Sequence, residues 1–103
     1  MNTETNREPT NQEILDILQE ECAEVIHAIS KCRRFGLDET KSSTESSNRQ
    51  RLTEEVMDVL AMLDWAVERN ILLDDIPDIV EVHFPAKRES VRRYCAYGDS
   101  VNA

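Results

Sequence analysis

The sequence is short of the residues that turn a chain. Two glycines and three prolines in 103 residues leave little material for the many tight turns of a β-sandwich. Aromatic residues make up only 5% of the chain. Ala, Glu, Leu, Ile and Arg dominate its middle instead, and this composition predicts an all-α fold. Long apolar runs are missing too. None approaches the ~20 residues that a membrane helix needs, so no membrane partner is expected. Three cysteines, Cys22, Cys32 and Cys95, are odd in number and form no CxxC pair. Disulfides and zinc sites are therefore disfavoured, and reduced thiols in a cytoplasmic protein are expected. Positive charge is scarce: 12 Lys and Arg stand against 21 Asp and Glu, a formal net charge of −9. That balance argues against a general affinity for nucleic-acid polymers or anionic membranes. A small anion remains compatible with it if metal ions bridge the two. The opening "MNTETNREPT" is polar and does not read as a signal peptide.

What is present is helical punctuation. Residues 1–9 read as a flexible N-terminus, and 10–97 as one domain with one modest core. Thr10 followed by Glu13 fits a capping box. The first helix should run from there to about Arg34, with Gly36 as its stop. The Ser/Thr-rich stretch 37–47 has no periodicity and reads as a mobile loop. A second helix is expected from about Asn48 to Arg69, with Asn70 at its end. "LLDDIPDIVEVHF" restarts a helix, with Asp74 or Asp75 as cap and Pro77 in the first turn. Pro85 should break or kink it, because proline lacks an amide donor and clashes with the preceding turn. "AKRESVRRYCAY" forms a fourth, basic segment, and 98–103 a tail. The expected architecture is an antiparallel bundle of three to four helices. Its apolar stripes are wide for so short a chain, so oligomerisation should complete the bundle.

The first helix carries an oddity, "LQEECAEVIHAISK". At about 100° per residue, Ile14, Leu18, Cys22, Val25, Ile26 and Ile29 form an apolar face. Glu21 and Glu24 share one edge of that face, with Ile17 and Ala28 between them, while Glu20 points further out. The second helix repeats the layout. Leu52, Val56, Val59, Leu63, Ala66 and Val67 form its apolar face. Glu55 and Asp58 lie on one edge beside Met62 and Trp65. Each helix thus offers an acid pair at i and i+3.

Burying unpaired carboxylates is costly, and like charges raise one another's pKa. A divalent cation resolves both problems, and oxygen-only ligands suit Mg²⁺ or Mn²⁺ better than Zn²⁺. Residues three apart share a helix face, so each pair can converge on one ion. A lone ExxE is a weak signal, since Glu-rich helices are commonly just solvated. The second pair, ExxD, strengthens it.

"EECAE" (Glu20–Glu24) followed by "EEVMD" (Glu54–Asp58) resembles the paired EExxE and ExxD motifs of MazG-like all-α nucleoside triphosphate pyrophosphohydrolases. The surrounding helices are similar to those of small, phage-type members, over about residues 12–70. The resemblance implies Mg²⁺-dependent hydrolysis of a nucleoside or deoxynucleoside triphosphate to the monophosphate and pyrophosphate. It assigns Glu21, Glu24, Glu55 and Asp58 as metal ligands. Glu20 matches the motif's first glutamate and is either an orienting residue behind the ligands or a surface residue. Glu21 or Glu24 is the implied proton acceptor. Lys31, Arg34 and Lys87 are the candidate phosphate contacts, or else solvated surface charges. Lys87 corresponds to a lysine that similar proteins place in the third helix, although Pro85 departs from the smooth helix expected there. Trp65 could stack on a nucleobase or pack in a core or dimer interface. The family forms homodimers or dimers of dimers. The competing reading is a non-catalytic helical oligomer that sequesters nucleotides.

Overall fold

The computed structural model describes residues 6–40, 45–74 and 78–102, with side chains described as far as residue 96. Its regular elements are all helical: α1 Asn11–Phe35, α2 Asn48–Glu68, a π-helical turn Ile79–His83, and α3 Phe84–Asn102. The chain divides into two compact units, residues 1–72 and 73–103.

In the first unit, local chemistry sets the helix ends. The Thr10 hydroxyl accepts from the Glu13 N–H at 3.1 Å, and the Glu13 carboxylate accepts from the Thr10 N–H at 2.9 Å, the reciprocal box that starts α1. Gly36 ends α1 at φ 96°, ψ 155°, a backbone region open essentially to glycine alone. Its N–H donates to the Cys32 carbonyl at 2.9 Å. Ser47 caps α2, accepting from the Gln50 N–H at 3.1 Å. Beyond α2, Asn70 adopts φ 59°, a left-handed position that asparagine tolerates.

Contacts at both ends make α1 and α2 an antiparallel hairpin. At one end the Asn48 amide donates to the Gly36 carbonyl at 3.0 Å. At the other, the Arg69 guanidinium donates to the Pro9 carbonyl. That bond and the two-armed Arg7–Glu13 pair at 2.7 and 2.8 Å tie residues 7–9 to the hairpin. The connecting segment is bonded to the start of α2. The Asn48 and Arg49 N–H groups donate to the Glu39 and Leu37 carbonyls at 3.0 and 2.7 Å. Arg49 also pairs with Asp38 at 3.1 Å. Residues 41–44 of the expected loop lie outside the described residues.

Only Ile14 and Ala66 are fully buried among the described residues. They lie near the open end of the hairpin, where α1 begins and α2 finishes. The apolar face expected on α1 is only partly used. Leu18 and Val25 are half-buried, whereas Cys22, Ile26 and Ile29 are exposed, Ile26 by 66%. On α2, Val56 is exposed while Leu52, Val59, Leu63 and Val67 are half-buried. Two helices can cover only one side of each other. The seam has settled on the side where Glu21 and Glu55 are half-buried, leaving the far flank of the stripe open.

In the second unit, the helix cap is Asp78, whose carboxylate accepts from the Glu81 N–H at 3.1 Å. This corrects the expectation for Asp74, which lies in a bend outside any helix. Asp75 and Pro77 lie outside the described residues. Pro85 does not end the helix either. It sits at the second position of α3, directly after the π-helical turn. The Phe84 N–H bonds to the Ile79 carbonyl, the wider π spacing. A proline has no N–H to contribute next in either ladder, so it stands where one winding changes to the other.

Candidate functional site

Midway along the hairpin, α1 and α2 bring three carboxylates together. Glu21, Glu55 and Asp58 each offer an oxygen within 4.8 Å of the others. Glu21 and Glu55 are half-buried in the seam, and Asp58 is exposed at its edge. Helical spacing explains the convergence: Glu55 and Asp58 are one turn apart on one face of α2, and Glu21 faces them from α1.

The cluster has an electrostatic consequence. The Glu21 carboxyl is raised above its ordinary value, first by partial burial and then by the charges of Asp58, Glu55, Glu24 and Glu20. Among the described residues no cation forms an ion pair with the trio; the ion pairs present involve Glu8, Glu13, Asp38 and Glu89.

The donor set suits a hard divalent cation. All three donors are carboxylate oxygens, the ligand type of Mg²⁺ and Mn²⁺. An octahedral ion bonded at about 2.1 Å holds neighbouring ligands roughly 3 Å apart. The three side chains would draw in to close around it.

The other expected residues are distributed unevenly. Glu24 is not in the trio. It is exposed and lines the adjoining cleft with Glu55. Glu20 is exposed, its charge acting on Glu21. Lys31 is half-buried and lines two clefts at the loop end of the hairpin. Arg34 lines neither; its guanidinium lies over the Phe35 ring, 5.1 Å from the centroid. Trp65 is half-buried near the C-terminal end of α2. Lys87 belongs to the second unit, exposed on α3 beside Phe84, Arg88, Val91 and Arg92.

Sequence reading missed Arg51, Asn48 and Phe35, which line these clefts. A signal for Arg51 was available, since it lies four residues before Glu55 and so shares its face. His27, placed opposite the apolar face by the helical angles, also lines the smaller cleft. It does so because the seam is turned toward the glutamate edge.

Among the described residues, no helix is long and apolar enough to cross a membrane. No curated protein and no solved structure is matched by the chain. A family model, the MazG nucleotide pyrophosphohydrolase domain, matches residues 9–69. That span contains the whole α1–α2 hairpin and the acid trio at its centre. The chain belongs to the MazG nucleotide pyrophosphohydrolase domain family.

Proposed function

We propose that this protein hydrolyses nucleoside or deoxynucleoside triphosphates to the monophosphate and pyrophosphate, using Mg²⁺, with Mn²⁺ as a substitute. The observation that carries this reading is the convergence of Glu21, Glu55 and Asp58 across two helices, inside the span matched to a nucleotide pyrophosphohydrolase family.

Glu21, Glu55 and Asp58 are the proposed metal ligands, and Glu24, at the rim of the same seam, completes the set. A divalent cation held there would neutralise triphosphate charge and lower the pKa of a water. The water oxygen adds to the α-phosphorus, and the bond to the bridging oxygen breaks, releasing pyrophosphate. Glu24 or Glu21 takes the water's proton. Glu20 orients a ligand from behind. Lys31 is proposed to offset phosphate charge, and Trp65 to stack on the base. A homodimer or dimer of dimers would cover the open apolar flank, where Ile26 and Leu60 are more than half exposed.

The test is pyrophosphate release from eight ribo- and deoxynucleoside triphosphates, with Mg²⁺ and with chelator. Metal-dependent release of pyrophosphate rather than orthophosphate is expected from at least one. Silence from all eight, by a protein shown to be folded, would overturn hydrolysis of the common triphosphates and favour sequestration.

A further inference from the structure

Beside the acid trio lies a polar cleft of about 160 Å³ lined by Glu24, His27, Ala28, Lys31, Asn48, Arg51 and Glu55. Glu55 belongs to both the cleft and the trio, so the cleft is continuous with the candidate metal centre. Across it stand Lys31 from the last third of α1 and Arg51 from the first turns of α2. Both also line the larger cleft beyond, together with Phe35, Thr40 and the acids Glu39 and Glu45.

These two cations are uncommitted within the described residues. The ion pairs present use Arg7, Arg49, Arg69, Arg92 and Arg93, and none uses Lys31 or Arg51. Glu24 and Glu55 line the same cleft, yet neither pairs with them. If the two carboxylates serve a metal, two positive side chains are left facing a small polar hollow.

The start of α2 adds to the positive potential. Its first turn contains no acidic residue of its own, so the only carboxylate paired to that turn is Asp38, through Arg49, and the helix dipole adds positive potential there. The N–H groups of Asn48, Arg49, Gln50 and Arg51 are already bonded to Glu39, Leu37 and the Ser47 side chain and carbonyl. An anion in this cleft would therefore be held by side chains rather than by free backbone amides. The guanidinium fork of Arg51 suits phosphate oxygens, and Lys31 supplies a point charge opposite.

We propose that Arg51, with Lys31, seats the pyrophosphoryl end of the substrate, the leaving group of the reaction, in this cleft. The inference rests on the hydrolase reading above for its substrate. It assigns a binding role to Arg51, which lies one turn before Glu55 on the same face of α2. It also sets a direction: the β- and γ-phosphates lie toward the loop end of the hairpin, and the nucleoside lies on the other side of the trio, toward Trp65.

The probe is inorganic pyrophosphate with Mg²⁺, titrated calorimetrically into the full chain. Wild type should bind it. Arg51→Ala and Lys31→Ala should each weaken binding about ten- to hundredfold, with Arg51→Lys recovering part of the loss. Arg33→Ala, an exposed cation outside the cleft, should leave it unchanged. Thermal melts confirm that each variant is folded. Nucleoside monophosphate binding should be insensitive to Arg51→Ala. Failure of wild type to bind pyrophosphate, or equal binding by Arg51→Ala, overturns the seat. Hydrolysis measured in parallel separates the two ideas. Turnover unaffected by Arg51→Ala leaves the hydrolase reading standing and removes this one. Arg51-dependent pyrophosphate binding without turnover does the reverse.

Discussion

Glu21 is the residue where stability and function pull apart. Its carboxyl is raised by burial and by four neighbouring acids, so the charged form is disfavoured in the fold. A group with a raised folded pKa contributes stability below its unfolded value and loses it as pH rises through the folded one. In chelator, wild type and Glu21→Gln should therefore melt together near pH 4, and the variant should melt higher at pH 7. A variant melting lower at pH 7 would contradict the repulsion. The same substitution should cost activity. Metal stabilisation of the transition state is worth several kcal/mol, at about 1.4 kcal/mol per tenfold in rate. Glu21→Gln and Glu55→Gln should each lower kcat/KM by at least about a hundredfold, checked with saturating Mg²⁺. Turnover within a few-fold of wild type would remove these residues from the metal site.

At the scale of the element, helix ends carry separate, testable energies. Thr10→Ala removes half of the capping box and should cost about 1 kcal/mol, read by urea denaturation. Glu13 is pulled down to about 2, first by the Arg7 hydrogen bonds and then by the Thr10 N–H. A depressed carboxylate contributes stability above its unfolded value, ordinarily 4.5, and loses it as pH falls toward the folded one. The stability gap between wild type and Glu13→Gln should be constant near neutral pH and close between about 4.5 and 2. A gap that persists at pH 2 would mean the carboxylate's charge is not its source. Gly36→Ala meets no atom within 4 Å, yet it should cost about 1–3 kcal/mol because φ 96° strains any other residue.

For the whole molecule, the decisive feature is the open apolar flank of the hairpin. Ile26 and Leu60 are more than half exposed. Exposed side chains that touch nothing usually change stability by less than about 0.5 kcal/mol when replaced. If a second copy covers them, Ile26→Asp should instead halve the particle mass in light scattering and lower the melting temperature. A wild-type mass equal to one chain, 11.9 kDa, at micromolar concentration would rule the oligomer out.

The sequence alone determined what depends on near neighbours along the chain. Thr10 and Glu13 lie three residues apart, Gly36 follows the last periodic residue, and each acid pair spans one turn, so the α1 and α2 ends and the acid edges were legible. Pro85 was legible as a disturbance, but not that a π-helical turn would absorb it. The cap at Asp78 was hidden among Asp74 and Asp75, which local rules rate equally. Only the tertiary structure decided how far the seam turns toward the acids. That rotation depends on which sides of two helices remain uncovered when a single hairpin packs. It half-buries Glu21 and Glu55, leaves Ile26 outside, and puts Glu24 on the rim beside His27. The same cause brings Arg51 opposite Lys31. They are distant in sequence and meet only because the hairpin closes, and pairwise approach across a fold is not written in helical spacing.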